Sequence, residues 1–170
     1  MEIKTIVVGF LKENCYIITK NGKSIIIDPG DEAFKIVEAC KGKEVVGILL
    51  THHHFDHIGA LKEVEEYFQI KAENKVDGFD YEILKTPGHT SDSLTYYFYN
   101  DHVMFTGDFL FSGAIGRMDL PTGSKKEMMT SLEKIKNYPK DTILYPGHGP
   151  ATILGKEIPY FTDYLQDYNV

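Results

Sequence analysis

The sequence predicts an α/β (α+β) fold in which two mixed β-sheets carry helices on their outer faces. Two observations predict it: each half of the chain contains a β-hairpin signal, and each hairpin is followed by strand–helix units. Helices on only one face of a sheet leave its other face apolar, so that face must pack against another layer. We therefore expect the two sheets to pack on each other as a four-layer αββα sandwich.

The first half of the chain contains β-rich runs and two helical patterns. Asn21-Gly22 separates two β-rich runs, which is a strong hairpin signal, and Asp28-Pro29-Gly30 ends the third run as a turn. Apolar residues recur at helical spacing over residues 31–40, with acidic residues in the first turn. The predicted strands cover residues 4–8, 15–19, 24–28 and 45–50, and the helices cover residues 31–40 and 60–68.

The second half contains a hairpin whose turn is Asn100-Asp101. Residues 124–127 read Ser-Lys-Lys-Glu, a capping box that begins a helix. Residues 107–123 contain four glycines and are predicted to form a long loop. The predicted strands cover residues 81–85, 94–99, 102–106 and 142–145, and the helices cover residues 124–137 and 160–167.

Length, composition and charge narrow the class of protein. A chain of 170 residues with 42% apolar and 25% charged residues fits one globular domain over residues 1–170. Its net charge of −7 argues against a dedicated nucleic-acid-binding protein, because such proteins carry a basic face. Two cysteines, Cys15 and Cys40, cannot form a disulfide framework, and the apolar run at residues 6–11 is too short for a membrane span. We therefore expect a cytoplasmic protein that does not bind membranes.

Histidines and aspartates concentrate in segments that follow predicted strands, where a rigid scaffold presents functional groups. The densest segment is residues 51–60, THHHFDHIGA. His52 and His54 are two residues apart, so in extended backbone both side chains point the same way and can bind one metal ion. Asp56 and His57 follow at the turn into a helix and can bind a second ion. Imidazole and carboxylate donors together suit zinc, iron, manganese, cobalt or nickel.

Three further candidate ligands lie in the second half of the chain. His89 and His148 each occupy a glycine-flanked turn, where the backbone can fold close to a metal, and either can complete either cluster. Asp108 is a candidate bridge between two ions, because a carboxylate has two oxygens and can bind one metal with each.

These motifs resemble those of the metallo-β-lactamase-fold hydrolases. Residues 52–57 fit the His-x-His-x-Asp-His signature of that family, and three further motifs follow in the family's order at residues 86–90, 106–108 and 146–150. The resemblance covers roughly residues 9–150 and implies the αββα fold. It also implies two metal sites, formed by His52, His54 and His89 on one side and by Asp56, His57 and His148 on the other, with Asp108 as the bridge.

The resemblance further implies an activity. It points to the small glyoxalase-II-like (hydroxyacylglutathione hydrolase-like) branch, whose members hydrolyse thioesters or esters with a metal-bound hydroxide, and in which Asp56 would accept the nucleophile's proton. The implied cofactors are two divalent ions, zinc first, with iron or manganese as alternatives. A persulfide dioxygenase with a single iron and a lactonase are the alternatives on the same scaffold. The expected partner is a small-molecule substrate, either anionic or neutral. The sequence leaves open whether glutathione is recognised and what the oligomeric state is.

Arg117 is the single arginine of the chain, against 17 lysines. A guanidinium offers a planar pair of donors that matches a carboxylate, which a lysine does not. The stretch Gly116-Arg117-Met118-Asp119 is similar to that of short glyoxalase-II-like proteins and persulfide dioxygenases, which implies contact with the substrate. Anchoring of the loop is the alternative role, and the sequence leaves both open.

Asp28, His53 and His102 are weighed beside these candidates. For Asp28 we favour turn formation before a proline over support of a histidine ligand. His53 would point away from His52 and His54, and His102 opens a strand beside a turn, so neither is expected to bind a metal.

Overall fold

The computed structural model describes residues 1–166 and divides into two compact units. The first unit is Met1–Phe79, and the second begins at Asp80. Each unit is built on a mixed β-sheet with helices, as the sequence predicts. The single domain over residues 1–170 stays a prediction.

The first unit contains strands that are mostly connected by short turns. Its elements are β1 (Glu2–Val8), β2 (Glu13–Lys20), β3 (Lys23–Ile27), α1 (Ala33–Ala39), β4 (Glu44–Leu49), α2 (Phe55–Ile58) and α3 (Leu61–Phe68). The sheet of residues 1–79 has the order β1-β2-β3-β4, in which β1, β2 and β3 are antiparallel and β4 is parallel to β3. Helix α1 makes the crossover between the two parallel strands, as parallel pairing requires.

The core of the first unit packs one face of this sheet against α1 and α3. Ile6 and Val8 are the buried residues of β1, while the isoleucines of β2 and β3 are buried on both faces, as expected of central strands. Ile17, Ile26, Ile36, Ile48 and Val64 are fully buried members of one cluster. Since β3 and β4 are parallel, the segments after their carboxyl ends leave the same edge of the sheet.

The second unit contains more strands and a longer helix. Its elements are β5 (Glu82–Lys85), β6 (Leu94–Phe98), β7 (Val103–Gly107), β8 (Leu110–Phe111), β9 (Ala114–Ile115), α4 (Lys125–Ile135), β10 (Ile143–Pro146), β11 (Thr152–Ile153), α5 (Leu154–Glu157), a 3₁₀ turn (Ile158–Tyr160) and α6 (Phe161–Gln166). Among residues 80–166 the main sheet has the order β11-β10-β7-β6-β5, and β8 and β9 form a separate hairpin.

The topology of the second unit brings three carboxyl ends to one edge of its sheet. Strand β7 is parallel to β10 and antiparallel to β6, and β6 is antiparallel to β5, so β5, β7 and β10 run in the same direction. The core around Met104, Leu132 and Leu144 packs this sheet against α4 and α6. The segments that follow the three parallel strands therefore leave from the same edge.

The carboxylate of Glu157 connects separate parts of the second unit. It is 5% exposed and accepts hydrogen bonds from the backbone N of Gly113 (3.0 Å), from the hydroxyl of Tyr164 (2.7 Å) and from the hydroxyl of Thr152. Because three donors share one buried acceptor, Glu157 fixes the β8–β9 turn relative to α6.

The structure refines several sequence predictions. The predicted loop at residues 107–123 contains the β8–β9 hairpin, whose two-residue strands are too short for a period-2 pattern to show. The predicted helix at residues 160–167 is α6, Phe161–Gln166, preceded by a 3₁₀ turn, and residue 167 lies outside the described residues. Ser124 accepts from the backbone N of Glu127, so the predicted cap of α4 is confirmed. None of the helices described is long and apolar enough to cross a bilayer.

Candidate metal centre

The first unit gathers its predicted ligands just beyond the carboxyl end of β4. His54 has extended backbone (φ −65°, ψ 147°) and immediately precedes α2, whose first turn carries Asp56 and His57. The ring centroids of His52 and His54 are 4.8 Å apart, and those of His52 and His57 are 4.2 Å apart. Oδ2 of Asp56 lies 3.8 Å from Nε2 of His57. Three imidazoles and a carboxylate thus form one compact cluster.

Asp28 lies behind this cluster and accepts hydrogen bonds from two neighbours. Its carboxylate, 2% exposed, accepts from the backbone N of Thr51 (2.7 Å), from the hydroxyl of Thr51 (2.5 Å) and from Nδ1 of His57 (2.9 Å). It follows β3 with φ of 51°, a left-handed conformation that aspartate tolerates. The supporting role that ranked second in the sequence analysis is therefore the one that the contacts of Asp28 display.

These contacts fix the tautomers of two histidines. A carboxylate only accepts, so Nδ1–H of His57 donates to Asp28 and the ring lone pair lies on Nε2. Thr51 donates its hydroxyl proton to Asp28, so its Oγ1 accepts from Nδ1–H of His52 at 3.1 Å. Asp28 therefore holds both His52 and His57 in the form whose ring lone pair lies on Nε2, as a metal ligand requires.

Glu13 is a site residue that the sequence analysis missed. It begins β2, is 1% exposed, and places Oε1 3.7 Å from Nδ1 of His57. Single atoms of Glu13, Asp28 and His57 all lie within 4.8 Å of one another. Burial, followed by the charges of Glu13 and Asp28, raises the pKa of the Cys15 thiol well above its usual value. The available signal was a glutamate two residues before the predicted strand at residues 15–19.

Glycines let the backbone behind the cluster pack tightly. A Cβ on Gly30 would lie 1.8 Å from the carbonyl oxygen of Asp56, and one on Gly59 would lie 2.4 Å from the carbonyl oxygen of Gly30. The backbone N of Ala60 also donates to the carbonyl of Pro29 at 3.1 Å. The turn that carries Asp28 and the helix that carries His57 are thus fixed against each other.

The second unit gathers its own three predicted ligands. His89, Asp108 and His148 follow β5, β7 and β10, the three strands that end at one edge of the sheet. Oδ2 of Asp108 lies 3.6 Å from Nε2 of His89 and 3.6 Å from Nε2 of His148. One carboxylate oxygen thus lies at the same distance from two imidazole nitrogens, a position from which it can bridge two ions.

The loop after Asp108 orients His89. Nδ1–H of His89 donates to the carbonyl oxygen of Arg117 at 2.7 Å, because a carbonyl can only accept, and the lone pair therefore lies on Nε2. Gly116 packs between the two ligands: a Cβ there would lie 1.8 Å from the carbonyl oxygen of Asp108 and 2.9 Å from Cβ of His89. The main chain at residues 116–117 is part of the support of this site.

The guanidinium of Arg117 has a partner within its own loop. Nε and one terminal nitrogen donate to the two carboxylate oxygens of Asp119 at 2.7 and 2.6 Å. Hydrogen bonding to Arg117 is the largest of the causes that lower the pKa of Asp119 to about 2. Both side chains are more than half exposed. Asp119 was part of a motif in the sequence analysis, but its pairing with Arg117 was not predicted.

The donors fit divalent metal ions. Two donor atoms about 2.1 Å from one ion, at a tetrahedral angle, lie about 3.4 Å from each other. The separations of 3.6 Å in the second unit and 3.8 Å in the first are close to that value. The tautomers of three histidines also place the ring lone pair on Nε2, where an ion could bind it. The donor set is compatible with zinc, iron and manganese.

The two histidines that were not expected to bind metal lie apart from these clusters. Nδ1 of His102 pairs with Asp141 at 2.9 Å, and both side chains are exposed. His53 is exposed, whereas its neighbour His52 is buried and its neighbour His54 is half-buried. Neither belongs to a metal-binding group found among residues 1–166.

Comparison with known proteins identifies a family. The model of the metallo-beta-lactamase superfamily matches residues 8–73 and 69–148. The hydroxyacylglutathione hydrolase GloC of Haemophilus influenzae is 31% identical, over 92% of this chain and 95% of its own length.

Two solved structures agree with this match. The crystal structure of the BLEG-1 B3 metallo-beta-lactamase superposes with a TM-score of 0.89 at 28% identity, covering 96% of this chain and 99% of that one. The di-iron-bound form of TTHA1623 superposes with a TM-score of 0.83 at 29% identity, covering 91% and 96%. The fold class predicted from the sequence is confirmed.

Proposed function

Because the chain belongs to the metallo-beta-lactamase superfamily, we propose that it is a binuclear metal-dependent hydrolase of thioesters or esters, of the glyoxalase-II-like kind. The observation that carries the proposal is the position of Asp108 Oδ2, 3.6 Å from a nitrogen of each of two histidines. An oxygen in this position can be shared by two ions, each of which also binds one of the two histidines. The match to GloC over 95% of its length supports the thioester class.

We assign the ligands by the order of the motifs, residue by residue. The first ion is assigned to His52, His54 and His89, and the second to Asp56, His57 and His148, with Asp108 bridging. Zinc is the first expectation, with iron and manganese as alternatives.

Residues of the chain orient the imidazoles and accept a proton during the reaction. When bound, divalent ions lower the pKa of water and polarise a carbonyl oxygen. Asp28 and the Arg117 carbonyl hold three imidazoles in the coordinating tautomer. The side chain of Asp56 is 14% exposed, so it can reach a small molecule at the site and accept the proton released as water adds to a carbonyl carbon.

Metal analysis followed by a substrate panel tests the proposal. The protein is expressed with iron, manganese and zinc all available, analysed for each element, and assayed against thioesters, esters and lactones. We expect two metal ions per chain and hydrolysis of a thioester, both lost in Asp108→Ala. Hydrolysis of lactones alone would contradict the thioester class. One iron per chain, with oxygen uptake on glutathione persulfide, would instead identify a persulfide dioxygenase.

A further inference from the structure

The loop that carries Arg117 holds its main chain and its side chain by separate contacts. The carbonyl oxygen of Arg117 accepts from His89, and Gly116 packs against His89 and Asp108. The guanidinium donates to the carboxylate of Asp119 instead. A change of the Arg117 or Asp119 side chain can therefore alter charge near the site without removing the support of His89.

Asp119 occupies two donors of the guanidinium in the geometry that a substrate carboxylate would use. The bonds of 2.7 and 2.6 Å are parallel and bidentate, the arrangement in which guanidinium and carboxylate match best. The pair as a whole has no net charge. A carboxylate that approaches it meets a neutral pair on a chain whose overall charge is −7.

We propose that Asp119 is a specificity-determining residue, which occupies the Arg117 guanidinium and so weakens binding of carboxylate-bearing substrates relative to neutral ones. The inference rests on the proposed hydrolase function only where it is tested by enzyme kinetics. It implies that the substrate group nearest Arg117 is neutral, or that it binds by displacing Asp119. Since exposed ion pairs have small energies, the expected effect is about three- to fivefold.

The single arginine gives a direct readout of this pair. In ¹⁵N-labelled protein the Nε–H of Arg117 is the one arginine signal of its kind, because the chain has no other arginine. The zinc-loaded protein is titrated with 4-(methylthio)benzoate, a carboxylate that cannot be hydrolysed. We expect the Arg117 Nε–H signal to shift with a Kd about three- to fivefold lower in Asp119→Asn than in the wild type.

Asp141→Asn is the matched control, because it removes another exposed carboxylate that pairs with a basic side chain. Its Kd for 4-(methylthio)benzoate should equal the wild-type value. An equal or higher Kd in Asp119→Asn, or a signal of Arg117 that no concentration of the carboxylate shifts, would overturn the proposal. This measurement does not depend on catalysis, so it separates failure of the inference from failure of the proposed function.

The kinetic arm compares phenyl thioacetate with 4-(acetylthio)benzoate, which differ by one carboxylate. We expect the ratio of kcat/KM for the anionic over the neutral thioester to rise about three- to fivefold in Asp119→Asn and to fall in Arg117→Ala. A purely structural role would lower both values together and leave the ratio unchanged. A ratio that falls in Asp119→Asn would mean that Asp119 presents Arg117 to the substrate, which contradicts the proposal.

Discussion

Replacing Asp28 by asparagine should weaken the binding of both metal ions, although Asp28 is assigned as a ligand to neither. Its carboxylate accepts a hydrogen bond directly from His57. It also accepts the hydroxyl proton of Thr51, which leaves the Thr51 oxygen to accept from Nδ1–H of His52. These histidines are assigned to different ions. An amide of the same size presents an NH₂ donor where one carboxylate oxygen was, and that donor faces the protons of Thr51 or His57.

The size of the effect follows from these contacts. Two buried donors that face each other without an acceptor destabilise the folded protein by about 1–3 kcal/mol, unless one of them loses its proton. If His57 moves its proton to Nε2, the nitrogen assigned to the metal loses its lone pair. Loss of this kind of support typically weakens metal binding about 10- to 100-fold, or about 1.4–2.7 kcal/mol. We expect this loss for each of the two ions in Asp28→Asn.

The assay is competition for zinc against a fluorescent chelator. Asp31→Asn is the control, because it removes the same charge from an exposed position just past the same turn. Both variants should give circular dichroism spectra like the wild type. If Asp28→Asn binds two zinc ions as tightly as Asp31→Asn does, the account of Asp28 as the common support is wrong.

Three further changes test the site and its frame. Asp108→Ala should release both ions and abolish hydrolysis together, and elemental analysis that finds two tightly held ions would exclude a bridging role. Gly116→Ala places a Cβ 1.8 Å from the carbonyl oxygen of Asp108 and 2.9 Å from Cβ of His89. It should weaken zinc binding by about tenfold or more in a folded protein, and unchanged affinity would refute the packing argument. Glu157→Ala leaves a backbone N–H and two hydroxyls without their buried acceptor. It should lower the free energy of unfolding, measured in urea, by about 3 kcal/mol or more. A decrease of less than about 1 kcal/mol would show that these contacts do not stabilise the fold. The pKa of Asp119 is lowered to about 2, so its pairing is complete above the ordinary carboxyl pKa and is lost only as the pH falls through 2. The arginine Nε–H signal should therefore stay unchanged between pH 8 and pH 5, and a shift in that range would contradict the pairing.

The sequence can identify ligand candidates because their signals are local. His52, His54 and Asp56 share one short segment, and His89 and Asp108 each lie in a loop that follows a predicted strand. Strand direction then determines which edge they reach, as the parallel β5, β7 and β10 show for the second unit. Residue type and position relative to a strand were sufficient for these predictions.

The support of the ligands could not be predicted in the same way. Glu13 and His57 are 44 positions apart, and His89 meets the carbonyl of Arg117 across 28 positions. Contacts of this kind depend on backbone paths that no local pattern encodes. A main-chain carbonyl such as that of Arg117 also carries no residue-type signal, so the anchoring and substrate roles of this residue were weighed as if they excluded each other.

A crystal structure of the metal-loaded protein, with the ions located by anomalous scattering, tests the central proposal most directly. The account predicts two ions about 3.5–4 Å apart, with a carboxylate of Asp108 bound to both. The remaining ligands should be His52, His54 and His89 on one ion and Asp56, His57 and His148 on the other. A single ion, or two ions of which one lacks Asp108, would contradict it.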